Sequence, residues 1–182
     1  MLLDTPVCDF GWKAPEFSLK DADGKLHRMS DHLTEKGLLI AFICNHCPYV
    51  QRIAERLAAD TRQLMDEGFG VLAVMSNDYR SHPLDAPDNM KRFAAEQGFG
   101  FPYLVDEDQS VGREYGAICT PDFFGFNGKG ELQYRGRLDD AKMGDSADRQ
   151  AELLSAMRQI ASTGQGPQIQ HPSMGCSIKW RD

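Results

Sequence analysis

The chain has 182 residues, enough for one domain with a full core. Hydrophobic residues make up 41% and charged residues 26%, as in a globular protein that lives in water. The net charge of -7 comes from 20 basic and 27 acidic side chains with no Lys/Arg cluster, which speaks against a nucleic-acid groove.

The start, "MLLDTPVCDFGWKAPEF", lacks a basic segment followed by an apolar one, so it does not read as a secretion signal. The longest apolar run, "LLIAFI" at 38–43, is too short to span a bilayer. A cytoplasmic location and no membrane contact are therefore expected. "PEFSLKDADGKLHRMSDH" carries two short apolar pieces around Asp23-Gly24 and reads as an N-terminal β-hairpin. "GLLIAFI" reads as a strand buried on both faces. Pro48 suits a first helical turn, and Val50, Ile53, Leu57, Leu64 and Met65 then form a helical stripe that Gly68 ends.

"GVLAVMS" at 70–76 reads as a second buried strand. The segment from Asn77 to Asn89 is a polar, Pro-containing connector; it follows a strand end where α/β proteins bind ligands, yet the solvated-loop reading is preferred. A helix is predicted over 88–98, a strand over 102–106 and a short helix over 109–116. "DFFGFNGKGELQYRG" reads as a hairpin turning at Asn127-Gly128. A last helix is predicted over 146–162 with Ser146 as its N-cap, followed by a tail at 163–182. Strands alternating with helices predict an α/β fold whose mixed central sheet is flanked by helices, in a single domain over 1–182.

The chemistry concentrates in "ICNHCPYV", where Cys44 and Cys47 stand between a buried strand and a helix start. Unpaired N–H groups and the positive end of the helix dipole stabilise a thiolate there, so a depressed Cys44 pKa is expected. The spacing also brings both sulfurs within disulfide range. His46, once protonated, would stabilise the thiolate further and make the couple more oxidising. A zinc site is the weaker reading: structural zinc takes four ligands, and here one CxxC stands with His46 in the same turn and Cys119 and Cys176 alone. Two inert thiols is the other plain alternative.

These segments resemble the thioredoxin-like superfamily, and within it the redoxin branch of AhpC/TSA peroxiredoxins and TlpA/ResA-like thiol-disulfide proteins. The resemblance is carried by "APEFSLKDADGK", "GLLIAFICNHCPYV" and the stretch from "FPYLVDEDQS" to "RGRLDD". It implies a thioredoxin-like fold, Cys44 as attacking thiol, Cys47 as resolving thiol and Thr120-Pro121 as a cis-proline facing them, with Asn45 and Thr120 along the substrate groove. A proline bond carries a low cis penalty, which makes Pro121 a physically reasonable place for it.

The chain departs from the pattern in three ways: Ile43 replaces a Trp before the first cysteine, "LLIAFI" lacks a buried acid, and neither cysteine has a Thr three residues before it. The missing Thr counts against peroxidase chemistry of the usual kind. Arg135 and Arg137 could offer a guanidinium, but strand arginines are usually solvated.

Cys176 lies between a glycine and the apolar Ile178 and Trp180, which could dock the tail, so it is read as a third redox thiol or a free surface thiol. Cys119 reads as a buried structural thiol and Cys8 as incidental in an exposed arm. His27, His32, His82 and His171 read as surface histidines.

The function expected is a thiol-disulfide oxidoreductase on a Cys44/Cys47 couple tuned by His46, with Pro121 shaping the groove. It needs no metal or organic cofactor and acts on protein or small-molecule disulfides with a thioredoxin-type reductant. The alternatives are a thiol peroxidase acting on hydroperoxides and, in another class, a soft-metal-binding module.

Overall fold

The apolar run Leu38–Phe42 is wholly buried, as a strand with side chains on two packed faces must be. It is the fourth strand of a computed structural model that describes residues 1–182. Before it come β1 (Leu2–Asp4), β2 (Ser18–Asp21), β3 (Leu26–Arg28) and a one-turn helix α1 (Met29–His32). After this β4 follow α2 (Pro48–Asp66), β5 (Gly70–Met75), a 3₁₀ turn (Pro83–Asp85), α3 (Pro87–Gln97), β6 (Tyr103–Val105) and α4 (Ser110–Glu114). The chain closes with β7 (Cys119–Thr120), β8 (Asp122–Phe126), β9 (Leu132–Tyr134), α5 (Glu152–Thr163) and β10 (Met174–Ser177).

Seven strands form a mixed sheet in the order β3-β2-β6-β5-β4-β8-β9. The centre, β4-β5-β6, is parallel, and β8, β9 and the β2-β3 hairpin join it antiparallel. Alternation along β4 divides the core. Leu39 and Ala41 face the layer of α2, α3 and α5, whereas Leu38, Ile40 and Phe42 face the layer of α1 and α4. Each such buried Leu or Phe contributes roughly 1.5–3 kcal/mol relative to exposure. No helix is long and apolar enough to cross a membrane.

Most expected elements are present, and four expectations need correction. The last helix begins at Glu152, with Ala151 and not Ser146 at its N-cap. Residues before it are held by tertiary contacts instead: the Arg149 guanidinium clamps the buried Asp60 carboxylate at 2.6 Å and Asp139 at 3.2 Å. The second hairpin does not turn on Asn127-Gly128 alone. Gly130 takes the left-handed φ of 75°, and Asn127 works through its side chain, whose Oδ1 accepts the N–H groups of Lys129 and Glu131 at 3.0 Å.

The tail docks through Ile178 and Trp180 rather than hanging free, and the amino terminus is tied down at β1 although Val7 and Phe10 stay exposed: β10 is sandwiched between β1 and β7 in a second, three-stranded sheet. Ile178 is buried, and Arg113 stacks over Trp180 at 4.5 Å. Finally, His27 is not on the surface; it is buried between Asp21 and His32.

Candidate active site

Strand β4 delivers the chain to Ile43, and α2 starts at Pro48, so Cys47 and not Cys44 occupies the helix N-cap. The helix start therefore acts on Cys47, whereas the sequence reading expects the depressed pKa at Cys44. Cys47 is lowered to about 4, first by the hydrogen bond from the Cys44 thiol and further by the Val50 backbone N–H and by Cys176, against the opposing effect of burial. Cys44 moves the other way. The neighbouring Cys47 sulfur, burial and the Asp85 carboxylate beside it all push its thiol up.

Cys47 Sγ also lies 3.3 Å from the Thr120 carbonyl, to which a protonated thiol would donate. We assign the proton to Cys44, because the helix start favours the anion at Cys47 while a carboxylate opposes it at Cys44.

That carboxylate comes from the connector after β5. Asp85 is fully buried. Its Oδ1 accepts the backbone N–H groups of Asn45 at 2.8 Å and His46 at 3.3 Å. Its Oδ2 accepts from Asn77 Nδ2 at 2.9 Å and lies 2.5 Å from His46 Nδ1. The connector is exposed at Arg80, Ser81 and Leu84 but packs Asn77 and Asp85 against the CxxC turn, so it borders the site. It also supplies the buried acid that the central strand lacks.

His82 stacks on His46 with ring centroids 5.9 Å apart, so it too is a site neighbour and not an isolated surface histidine. Asn45 is buried by three further contacts: Tyr103 Oη donates to its Oδ1, its Nδ2 donates to the Leu84 carbonyl, and Gln51 Nε2 donates to its carbonyl. These contacts brace the turn.

The Thr120–Pro121 peptide bond is cis and stands against both thiols. Thr120 Oγ1 lies 3.4 Å from Cys44 Sγ, and its carbonyl faces Cys47. β10 pairs with β7 so that Cys176 is the partner of Thr120, which sets Cys176 beside Cys47. The close approach needs Gly175, where a Cβ would fall 1.8 Å from the Thr120 oxygen. Burial, and then the neighbouring Cys47, push the Cys176 thiol up to about 11. Pro121 borders a cavity of about 460 Å³ walled by Tyr49, Ile53, Phe123 and Met174 with Arg137 and His171 at its rim; no cysteine lines it.

Residues 10–135 match the AhpC/TSA family. The chain belongs to the AhpC/TSA family. It is 26% identical over 123 residues to the thiol-disulfide oxidoreductase ResA of Geobacillus thermodenitrificans, covering 68% of this chain and 66% of that protein. It is 28% identical over 112 residues to the peroxiredoxin Bcp of Escherichia coli K12, covering 62% and 67%. The chain thus spans about two thirds of the length of these curated relatives.

Among solved structures, an uncharacterized conserved protein from Geobacillus kaustophilus superposes with a TM-score of 0.92 at 38% identity, over 100% of this chain and 97% of that one. The thioredoxin domain of a thiol-disulfide oxidoreductase from Bacteroides vulgatus superposes at 0.59 with 17% identity, over 69% and 86%. The fold is thioredoxin-like, and the relatives are redoxin-family oxidoreductases.

Within this AhpC/TSA chain, Cys44, Cys47, His46, Thr120, Pro121 and Cys176 come together around the start of α2. Cys119 is buried outside the pair, its thiol pushed up to about 12 chiefly by burial. Cys8 is half-buried and also raised, to about 11, chiefly by burial. Arg135 is not solvated: it is buried against Asp122 at 2.8 Å and over the Phe124 ring. Arg137 pairs with Glu152 at 2.7 Å. The residue at the site missed by sequence reasoning is Asp85, since nothing in "NDYRSHPLDAPDN" separates it from Asp78 or Asp88.

Proposed function

We propose that the protein is a thiol-disulfide oxidoreductase whose working couple is Cys44/Cys47, with Cys176 as a third redox thiol. The observation that carries this reading is the convergence of three sulfurs on the Thr120-Pro121 turn at a helix N-terminus.

The acidity order supports Cys47 as the attacking sulfur, the reverse of the order that the resemblance implied. The Cys47 thiolate attacks one sulfur of a substrate disulfide, forming a mixed disulfide and expelling the other half as a thiolate. The Cys44 thiol then loses its proton, attacks Cys47 and releases the second half, leaving Cys44–Cys47 oxidised. An external dithiol of the thioredoxin type returns the two electrons. Both sulfurs are closed off at 1% and 0% exposure, so a protein substrate requires the turn to open. His46, in contact with Asp85, is the group positioned to influence the Cys44 proton.

A second reading has one supporting observation: an acidic Cys47 with two other thiols beside it suits reduction of a hydroperoxide. The Cys47 thiolate would break the O–O bond, keeping one oxygen as sulfenic acid and releasing the other as an alcohol or water, and Cys44 or Cys176 would then condense with it, releasing water. The two readings part on turnover. Reduction of a protein or small-molecule disulfide with a dithiol donor supports the first, and fast hydroperoxide consumption with the same donor supports the second.

The first reading fails if oxidised glutathione yields no Cys44–Cys47 disulfide in non-reducing peptide maps, and the part given to Cys176 fails if Cys44–Cys47 is the only disulfide found. The same proposal takes 1–182 as one redox unit in which the tail 163–182 supplies Cys176. It places the protein in the cytoplasm without nucleic-acid or membrane partners.

A further inference from the structure

We propose that the reduced protein binds a zinc-class divalent cation between Cys44 Sγ, an imidazole nitrogen of His46 and a carboxylate oxygen of Asp85. The three donor atoms lie within 4.8 Å of one another. They come from two chain segments, and only the fold assembles them.

Asp85 is the reason to look for a cation. Its carboxylate has no exposure and no Lys or Arg partner; its contacts are neutral donors and His46. A buried carboxylate held in this way lacks a full countercharge. His46 Nδ1 lies 2.5 Å from the Asp85 oxygen, yet the pair lacks hydrogen-bond geometry. The two groups converge on shared space without being directed at each other.

The donor set fits zinc. Sulfur at about 2.3 Å and nitrogen or oxygen at about 2.0 Å from a tetrahedral ion stand roughly 3.3–3.6 Å apart. The His46–Asp85 contact must therefore open by roughly 1 Å, which a partly exposed imidazole allows. One thiolate, one imidazole and one carboxylate suit a borderline-soft ion and leave the fourth position for water. The carboxylate is already oriented by Asn77 and two backbone N–H groups, and Thr120 Oγ1 lies beside the Cys44 sulfur.

Cys47 stands outside the set, turned to the Thr120 carbonyl and Cys176. Binding releases the Cys44 proton and forms a sulfur–metal bond, with no electron transferred. A bound cation and a Cys44–Cys47 disulfide then exclude each other. The binding claim itself does not depend on the redox reading.

The test titrates the reduced full chain with Co²⁺ and with Zn²⁺ in competition with a chromophoric chelator. Co²⁺ should give one sulfur-to-cobalt charge-transfer band that Zn²⁺ abolishes at one equivalent. His46→Ala and Asp85→Asn should each weaken Zn²⁺ at least about tenfold, and Cys44→Ser should remove the band. Cys47→Ser and Cys176→Ser should stay within about threefold of wild type, a change too small to be a lost ligand. Absence of the band in wild type overturns the proposal. So does binding that survives His46→Ala but is lost in Cys47→Ser or Cys176→Ser, which would mark a sulfur clamp.

Discussion

Replacing Asp85 by Asn removes a buried charge while nearly preserving shape. The variant keeps an oxygen for the Asn45 and His46 N–H groups, but its new NH₂ faces Asn77 Nδ2, donor against donor. Losing a hydrogen bond to a charged group costs about 1.5–3 kcal/mol, and stranding a buried donor adds to it. Relief of the desolvated carboxylate works in the opposite direction. The net loss should therefore fall near 2 kcal/mol, below the 3–5 kcal/mol (roughly) typical of a broken buried ion pair.

For a chain of this size that loss lowers Tm by about 4–8 °C, measurable by thermal or urea unfolding with dithiol and chelator present. The same change removes the anion beside Cys44, so the Cys44 pKa falls and its alkylation quickens at a fixed pH. A variant within about 1 °C of wild type, a change below 1 kcal/mol, and with unaltered Cys44 alkylation would refute the role given to this carboxylate.

Other expectations follow from the same geometry. Gly175→Ala, whose Cβ meets the Thr120 carbonyl, should separate β10 from β7, so that Cys47–Cys176 disappears from non-reducing peptide maps while Cys44–Cys47 persists. Unchanged pairing would argue against the β7–β10 seam as what holds Cys176 in place.

Arg149→Ala strands the buried Asp60 carboxylate and should cost about 3–5 kcal/mol in urea unfolding, far more than an exposed arginine. A loss under about 1 kcal/mol would show that the clamp adds little. Burial first, and then the His27 charge, depress the His32 pKa, with Lys25 adding to them and Asp31 opposing. The neutral form is favoured in the fold, so its contribution is complete above the unfolded value near 6.5 and is lost as pH falls through the depressed folded value. Stability should decline below about pH 6.5, and His32→Gln should flatten that decline; parallel profiles would refute it.

Short-range pattern made much of this fold readable from sequence. The continuous apolar run of β4, the helical stripe of α2, Gly68 with φ 95° and Gly98 as a left-handed C-cap are decided within a few residues of chain. So was the presence of a redox-type CxxC between a strand and a helix. The start of α5 was not readable, because Arg149 trades helical continuation for distant carboxylates. Nor was the ordering of the two thiol pKa values, which turns on Cys47 rather than Cys44 standing at the N-cap of α2 and on a carboxylate brought in from the connector after β5.

By itself the sequence singled out the candidate atoms: two thiols, an imidazole and a distant third cysteine. The tertiary structure alone decided their electrostatics. It buried Asp85 under the turn and laid Cys176 against Cys47 by threading the tail between β1 and β7. The physical reason is that charge placement in a low-dielectric interior depends on distance in space, which local pattern along a chain does not encode.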